Sequence, residues 1–127
     1  MAKKNILIVD DEDNFTKLVK LNLEATGNFE VMVLSGPKDL LTSLRHFKPD
    51  LILLDLLMPG TGGLEVCDIL NDDEFGRKVP VIILSALDKM ADKSNAYKKG
   101  AVDYLVKPIE TEELISRIDR VLQSRYG

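Results

Sequence analysis

The sequence predicts one α/β domain built on a doubly wound parallel sheet. Three observations lead there. Short apolar runs of four to six residues recur between longer segments whose apolar residues follow a helical spacing, the pattern of buried parallel strands joined by helices. Five such strand-then-helix units follow one another, which implies right-handed crossovers and helices on both faces of the sheet. Four of the apolar runs also stop on residues able to handle a charged group: Asp10-Asp11, Asp55, Ser85 and Lys107-Pro108. In an open parallel sheet, residues at the carboxyl ends of the strands meet in one crevice.

The first strand is expected over 5–10 and its helix over 13–25, with Phe15, Leu18, Val19 and Leu23 turned inward and Gly27 ending the unit. A second strand over 29–34 leads through Gly36-Pro37 into a helix carrying Leu40, Leu41, Leu44 and Phe47, Pro37 fitting the first turn because its missing N–H has no partner there. The third strand, 51–55, precedes a loop over 58–63 and a helix over 64–71. The fourth strand, 80–85, precedes a helix over 88–99 that Gly100 closes. The fifth, 102–106, precedes a last helix over 110–125. Its stripe of Leu114, Ile115, Ile118, Val121 and Leu122 suits a core-facing helix. We expect a single domain over 1–127, with the last helix leaving no room for an output domain.

Composition narrows the function. The 127 residues are 45% hydrophobic and 30% charged with a net charge of −4, an ordinary globular balance without the basic face of a nucleic-acid binder. The single cysteine, Cys67, has no partner for a disulfide or a metal site and lies among Leu64, Val66 and Leu70, which makes it a packed core residue. No signal peptide and no stretch approaching ~18 apolar residues is present, so the chain reads as cytoplasmic and not inserted in a membrane.

Asp10, Asp11 and Asp55 carry the chemistry. Three carboxylates at roughly 5 Å repel by about 3 kcal/mol per pair at an effective dielectric near 20. Lys107, ending another strand, offsets part of this. A hard divalent cation with oxygen ligands is the natural remainder. An acid at a helix start is stabilised by the helix dipole, which accounts for Asp13 and Glu12. It does not account for two acids at a strand end, nor for Asp55 at the end of the most apolar strand. Ser85 and Lys107 are each weak signals alone, as a turn serine and a solvated lysine. Their joint occurrence at two strand ends makes the set specific.

These residues, in order, make the chain resemble the receiver domain of two-component response regulators, a CheY-like domain of stand-alone type. The elements are Ile-Leu-Ile-Val-Asp10-Asp11, Leu-Ile-Leu-Leu-Asp55-Leu-Leu-Met58-Pro59, Gly63-Leu-Glu-Val, Val-Ile-Ile-Leu-Ser85-Ala86 and Gly100-Ala-Val-Asp-Tyr104-Leu-Val-Lys107-Pro108. The resemblance implies a flavodoxin-like (βα)5 three-layer sandwich with strand order 2-1-3-4-5. It also implies that Asp55 is the nucleophile that becomes an aspartyl phosphate. Asp11, Asp10 through water, Asp55 and the backbone carbonyl of Leu57 would hold Mg²⁺, which Mn²⁺ could replace. Lys107 would pair with Asp55 and then with a phosphoryl oxygen, Ser85 would donate to another, and small Ala86 would leave the approach open. A cis peptide is implied between Lys107 and Pro108. Ser85 and Tyr104 would form the switch, the aromatic turning inward and reshaping the face made by the fourth helix, fifth strand and fifth helix.

The implied partners are a sensor histidine kinase or a histidine phosphotransfer protein upstream, and downstream a target protein or a phosphorylation-strengthened homodimer, with no direct nucleic acid. The implied role is a switch that promotes its own phosphorylation and slow dephosphorylation rather than a turnover enzyme. In dimerising relatives the matching charges are Lys93 with Glu113, Asp103 with Arg117 and Lys98 with Asp119, each opposite in sign here. Leu57 and Leu87 stand where fast-hydrolysing relatives carry polar side chains that orient water. The Thr61-Gly62 pair departs from the family's usual Met-Asp or Met-Asn.

Other readings are weaker. A haloacid-dehalogenase-type phosphatase would use Asp11 in Asp11-Glu12-Asp13 and leave Asp55 unexplained. A flavin mononucleotide binder needs a phosphate loop rich in Ser, Thr and Gly where this chain has four acids. A docking module that is never phosphorylated has no need of the intact set.

Overall fold

The structure is a computed structural model and describes residues 2–58, 60 and 62–127. Five strands, β1 (Lys4–Val9), β2 (Phe29–Leu34), β3 (Leu51–Leu54), β4 (Val81–Ser85) and β5 (Asp103–Val106), form one sheet in the order β2-β1-β3-β4-β5. Every pairing is parallel, with Ile6 opposite Val31 and Leu51, Ile52 opposite Val81, and Ser85 opposite Val106. The helices are α1 (Asp13–Ala25), α2 (Leu40–Phe47), α3 (Gly63–Asp72), α4 (Met90–Lys98) and α5 (Thr111–Tyr126). A short 3₁₀ turn, Gly76–Lys78, precedes β4; no periodicity marks it in the sequence.

Strand alternation divides the core into two layers. Ile6, Ile8, Leu51, Leu53, Ile82, Leu84 and Leu105 face α1 and α5, packing on Val19, Leu23, Leu114, Ile118 and Leu122. Leu7, Val9, Ile52, Leu54, Val81 and Ile83 point the other way, onto Leu40, Leu44, Val66, Cys67, Leu70 and Ala96. Burial of an apolar side chain is worth roughly 1.5–3 kcal/mol, so these two layers carry the fold. Cys67 is a core residue as expected, and burial pushes its thiol up to about 11.

Three local expectations are corrected. Leu18 does not face inward: it is 57% exposed, and Thr16, Val19 and Leu23 take the buried positions of α1. At about 100° per residue, Leu18 falls well outside the arc those three define. Pro37 precedes α2 instead of opening it; its carbonyl accepts the Leu40 N–H at 3.1 Å in a turn, and Asp39 occupies the N-cap. Finally, α4 begins at Met90, with the Lys89 N–H donating to Asp92 Oδ2 at 3.2 Å.

Candidate functional site

The sheet register builds the site. The Asp10 N–H donates to the Leu34 carbonyl at 3.0 Å, the Asp55 N–H to the Val9 carbonyl at 3.0 Å, and the Lys107 N–H to the Ser85 carbonyl at 2.8 Å. Asp10, Asp55 and Lys107 therefore each continue a strand ladder by one bond and are fixed by their backbone. Behind Asp55 the chain turns tightly against the start of α3. A Cβ at Gly63 would lie 2.5 Å from the Leu56 Cα and 2.6 Å from the Asp55 carbonyl oxygen. Only glycine allows that approach, and the Gly63 N–H donates to the Leu56 carbonyl at 3.1 Å. Pro59 and Thr61, in the loop expected over 58–63, lie outside the described residues.

Asp10, Asp11 and Asp55 each offer a carboxylate oxygen within 4.8 Å of the others. Asp10 and Asp55 are 2% exposed. Lys107 Nζ donates to Glu12 Oε1 at 2.6 Å, Asp10 Oδ2 at 2.8 Å and Asp55 Oδ2 at 3.2 Å. It also lies 4.2 Å above the centre of the Phe15 ring. The other oxygens are tied to the turns: Asp10 Oδ1 accepts the Glu12 N–H and Asp55 Oδ1 the Leu57 N–H, both at 3.0 Å. Burial holds the Asp10 carboxyl above its ordinary range, against the lowering effect of its bond from Lys107. Burial alone would lower the Lys107 ammonium, yet its bonds to Asp10 and Glu12 and the Asp10 and Asp55 charges raise it.

The structure thus brings Asp10, Asp11, Asp55 and Lys107 together. Ser85 is fully buried at the end of β4, and its hydroxyl accepts the Leu87 N–H at 3.3 Å. Tyr104 is buried with its hydroxyl donating to the Leu87 carbonyl at 2.6 Å, so Leu87 joins the two. The Lys107–Pro108 peptide bond is cis. Leu57 is half exposed and Leu87 partly buried.

Two residues at the site take roles that the sequence did not suggest. Glu12 is the N-cap residue of α1, but its side chain makes no capping bond and goes to Lys107 instead. Phe15, expected as a core residue, forms a wall under the ammonium. Both depend on Lys107, 95 positions from Glu12, so no local pattern could reveal them.

Between β5 and α5, Asp103 accepts from Arg117 Nε at 2.8 Å and Nη2 at 2.9 Å. Arg117 and Arg120 approach Glu113 and Asp103 at 3.7 Å in each case. Three of the six residues expected on a dimer face, Asp103, Arg117 and Glu113, are therefore paired within one chain.

The donor set is one a small hard cation prefers: three carboxylates, all oxygen, converging without nitrogen or sulfur. The family model for the response regulator receiver domain matches residues 6–119, and the chain belongs to that family. Its sequence is 38% identical over 118 residues to the DNA-binding dual master transcriptional regulator RpaA of Synechocystis, covering 93% of this chain and 48% of RpaA. The chain spans about half the length of the curated relatives it matches. Among solved structures it superposes on the Francisella response regulator 1452 receiver domain with a TM-score of 0.85, at 31% identity, over 96% of this chain and 98% of that one. The receiver domain of the sensor histidine kinase PA1611 from Pseudomonas aeruginosa, with a magnesium ion coordinated in its active site cleft, matches with a TM-score of 0.81. It shares 29% identity over 98% of each chain.

Proposed function

We propose that this receiver domain takes a phosphoryl group on Asp55 from the phosphohistidine of a sensor histidine kinase or phosphotransfer protein, and that the modified domain regulates a partner. The carrying observation is the environment of Asp55: a carboxylate 2% exposed, 3.2 Å from the Lys107 ammonium and grouped with Asp10 and Asp11. In the step, an Asp55 oxygen forms a bond to phosphorus as the nitrogen–phosphorus bond of the donor breaks. Such transfer needs positioning and neutralisation of charge on the three equatorial oxygens. Lys107 neutralises one oxygen and the Ser85 hydroxyl donates to another, with exposed Ala86 leaving the approach open. Asp10, Asp11, Asp55 and the Leu57 carbonyl would hold Mg²⁺, or Mn²⁺ in its place, which supplies positive charge beside the phosphoryl group.

Phosphorylation adds close to two negative charges. Ser85 would move toward them, and Leu87, bonded to both Ser85 and Tyr104, would pass that movement to the face of α4, β5 and α5. The modification acts by shifting the populations of two states. The product is a signal, not a released compound, so the domain is a switch and not a turnover enzyme on an external substrate. No described helix is long and apolar enough to cross a membrane, and a cytoplasmic setting suits the proposed donor.

The test is intact-mass analysis after incubation with acetyl phosphate. Wild type with Mg²⁺ should gain one phosphoryl group, Asp55→Asn none, and wild type without a divalent cation none. Equal labelling of wild type and Asp55→Asn would refute the assignment.

A further inference from the structure

Lys107 has three ammonium protons and spends one on each of three carboxylates. Asp10 and Asp55 belong to the group of three that converges for a cation, while Glu12 stands outside it. Glu12 nevertheless makes the shortest of the three contacts, at 2.6 Å. It does so as the N-cap residue of α1, where an acid would ordinarily turn to the helix amides, and its side chain makes no such bond. The Lys107 side chain is 9% exposed and that of Glu12 57%. The lysine is therefore too enclosed to replace a lost partner with water, whereas the glutamate can follow it without becoming buried.

From this arrangement we infer that Glu12 is a positioning residue for Lys107, keeping the ammonium partnered at the mouth of the site when Asp10 turns to a divalent cation. The inference rests on the proposed reading of the acidic group as a cation and phosphoryl site. A cation among Asp10, Asp11 and Asp55 competes with Lys107 for the same oxygens, and two positive charges at that range repel. Glu12 offers the ammonium a place outside the contested set, with the Phe15 ring 4.2 Å away on its other side. Without Glu12, Lys107 has only Asp10 and Asp55 to hold, and it holds them against the cation.

Calorimetric titration with MgCl₂ tests this. Glu12→Gln should weaken Mg²⁺ binding about fivefold, the scale of one short, partly exposed charged contact. Asp13→Asn is the control: it removes the same charge from the neighbouring position in the first turn of α1 and should weaken binding less than about twofold, as screened charges do. In a Lys107→Ala background, Glu12→Gln should have no more effect than Asp13→Asn. Equal effects of Glu12→Gln and Asp13→Asn, or an undiminished Glu12→Gln effect without Lys107, would overturn the positioning role while leaving the site reading intact. Wild-type binding that survives Asp11→Asn would overturn the site reading and this inference with it. A cooperative circular-dichroism melt of each variant confirms that the comparison is between folded proteins.

Discussion

The two ends of the sheet are built from the same residue types and solve opposite problems. At the amino end, the Asp50 carboxylate accepts the Asn5 N–H at 2.8 Å, and the Asn5 side-chain amide donates to the Phe47 carbonyl at 2.7 Å. The Tyr126 hydroxyl closes the group on the Asp50 carbonyl at 2.9 Å, with Lys4 lying 4.7 Å from the Tyr126 ring. One acid meets neutral donors there, and the last turn of α5 is pinned to the sheet. At the carboxyl end, Asp10, Asp11 and Asp55 lie within 4.8 Å of one another, and Asp10 and Asp55 share one lysine with Glu12. Like charges at that range cost about 3 kcal/mol per pair. The amino end pairs its acid with neutral donors; the carboxyl end gathers like charges, an arrangement that suits a ligand bringing positive charge.

Breaking the amino end should therefore cost stability and nothing else. Asp50→Ala removes the acceptor for the Asn5 N–H, and a hydrogen bond to a charged group is worth about 1.5–3 kcal/mol. We expect a loss of about 2 kcal/mol in urea unfolding and unchanged phosphoryl uptake from acetyl phosphate. Altered uptake at equal folded fraction would mean that the two ends are coupled.

At the carboxyl end, the rim should set the lifetime of the phosphorylated form. Leu57 and Leu87 offer a water molecule no hydrogen bond, and we expect slow self-dephosphorylation. Leu57→Asn with Leu87→Glu should shorten the lifetime about tenfold, a barrier change near 1.4 kcal/mol. Leu87 also accepts from Tyr104 through its carbonyl, a contact that the substitution preserves. Unchanged decay, followed by mass analysis after donor removal, would mean that the leucines do not obstruct water.

The smallest effect is expected on the face of α4, β5 and α5. Pairing of Asp103 with Arg117 across a two-fold axis must displace the bond these residues make within one chain, so it adds little. The Lys98–Asp119 pair and the Lys93–Glu113 pair, whose glutamate is held within the chain only by a long 3.7 Å contact to Arg117, remain, each at roughly 0–1 kcal/mol and each occurring twice in a two-fold dimer. With a beryllofluoride phosphoryl mimic, sedimentation should show a weak dimer that Lys93→Glu loosens and Lys93→Glu with Glu113→Lys restores. A monomer under all conditions points to a different protein on that face.

The strands were legible in the sequence because each is a short, mostly apolar run, with β3 and β4 buried on both faces, and the two core layers follow from alternation alone. Acids at the ends of such runs have no structural excuse, which made Asp10 and Asp55 stand out. Contacts made by long side chains were not legible. Lys107 reaches Glu12 and Phe15 through a register that only the assembled sheet defines, and Leu18 shows how a helix stripe misleads when one threonine takes a buried place. The internal Asp103–Arg117 pair was hidden for the same reason: opposite charges on a strand and a helix fit a partner chain or each other equally well.

The contrast between the two ends is tested most directly by urea unfolding of wild type and Asp10→Asn, with and without Mg²⁺. Burial raises the folded-state pKa of Asp10 above its ordinary 3.8, so its ionised form penalises the folded state above that raised pKa. Without metal at pH 7, Asp10→Asn should be the more stable protein, by about 1 kcal/mol. That gap should close as the pH falls through the raised pKa toward 3.8 and wild type takes up its proton. With Mg²⁺ at ten times its dissociation constant, wild type should gain about 1.4 kcal/mol and overtake the variant. A variant less stable than wild type without metal, or a wild type that Mg²⁺ leaves unmoved, would contradict the account.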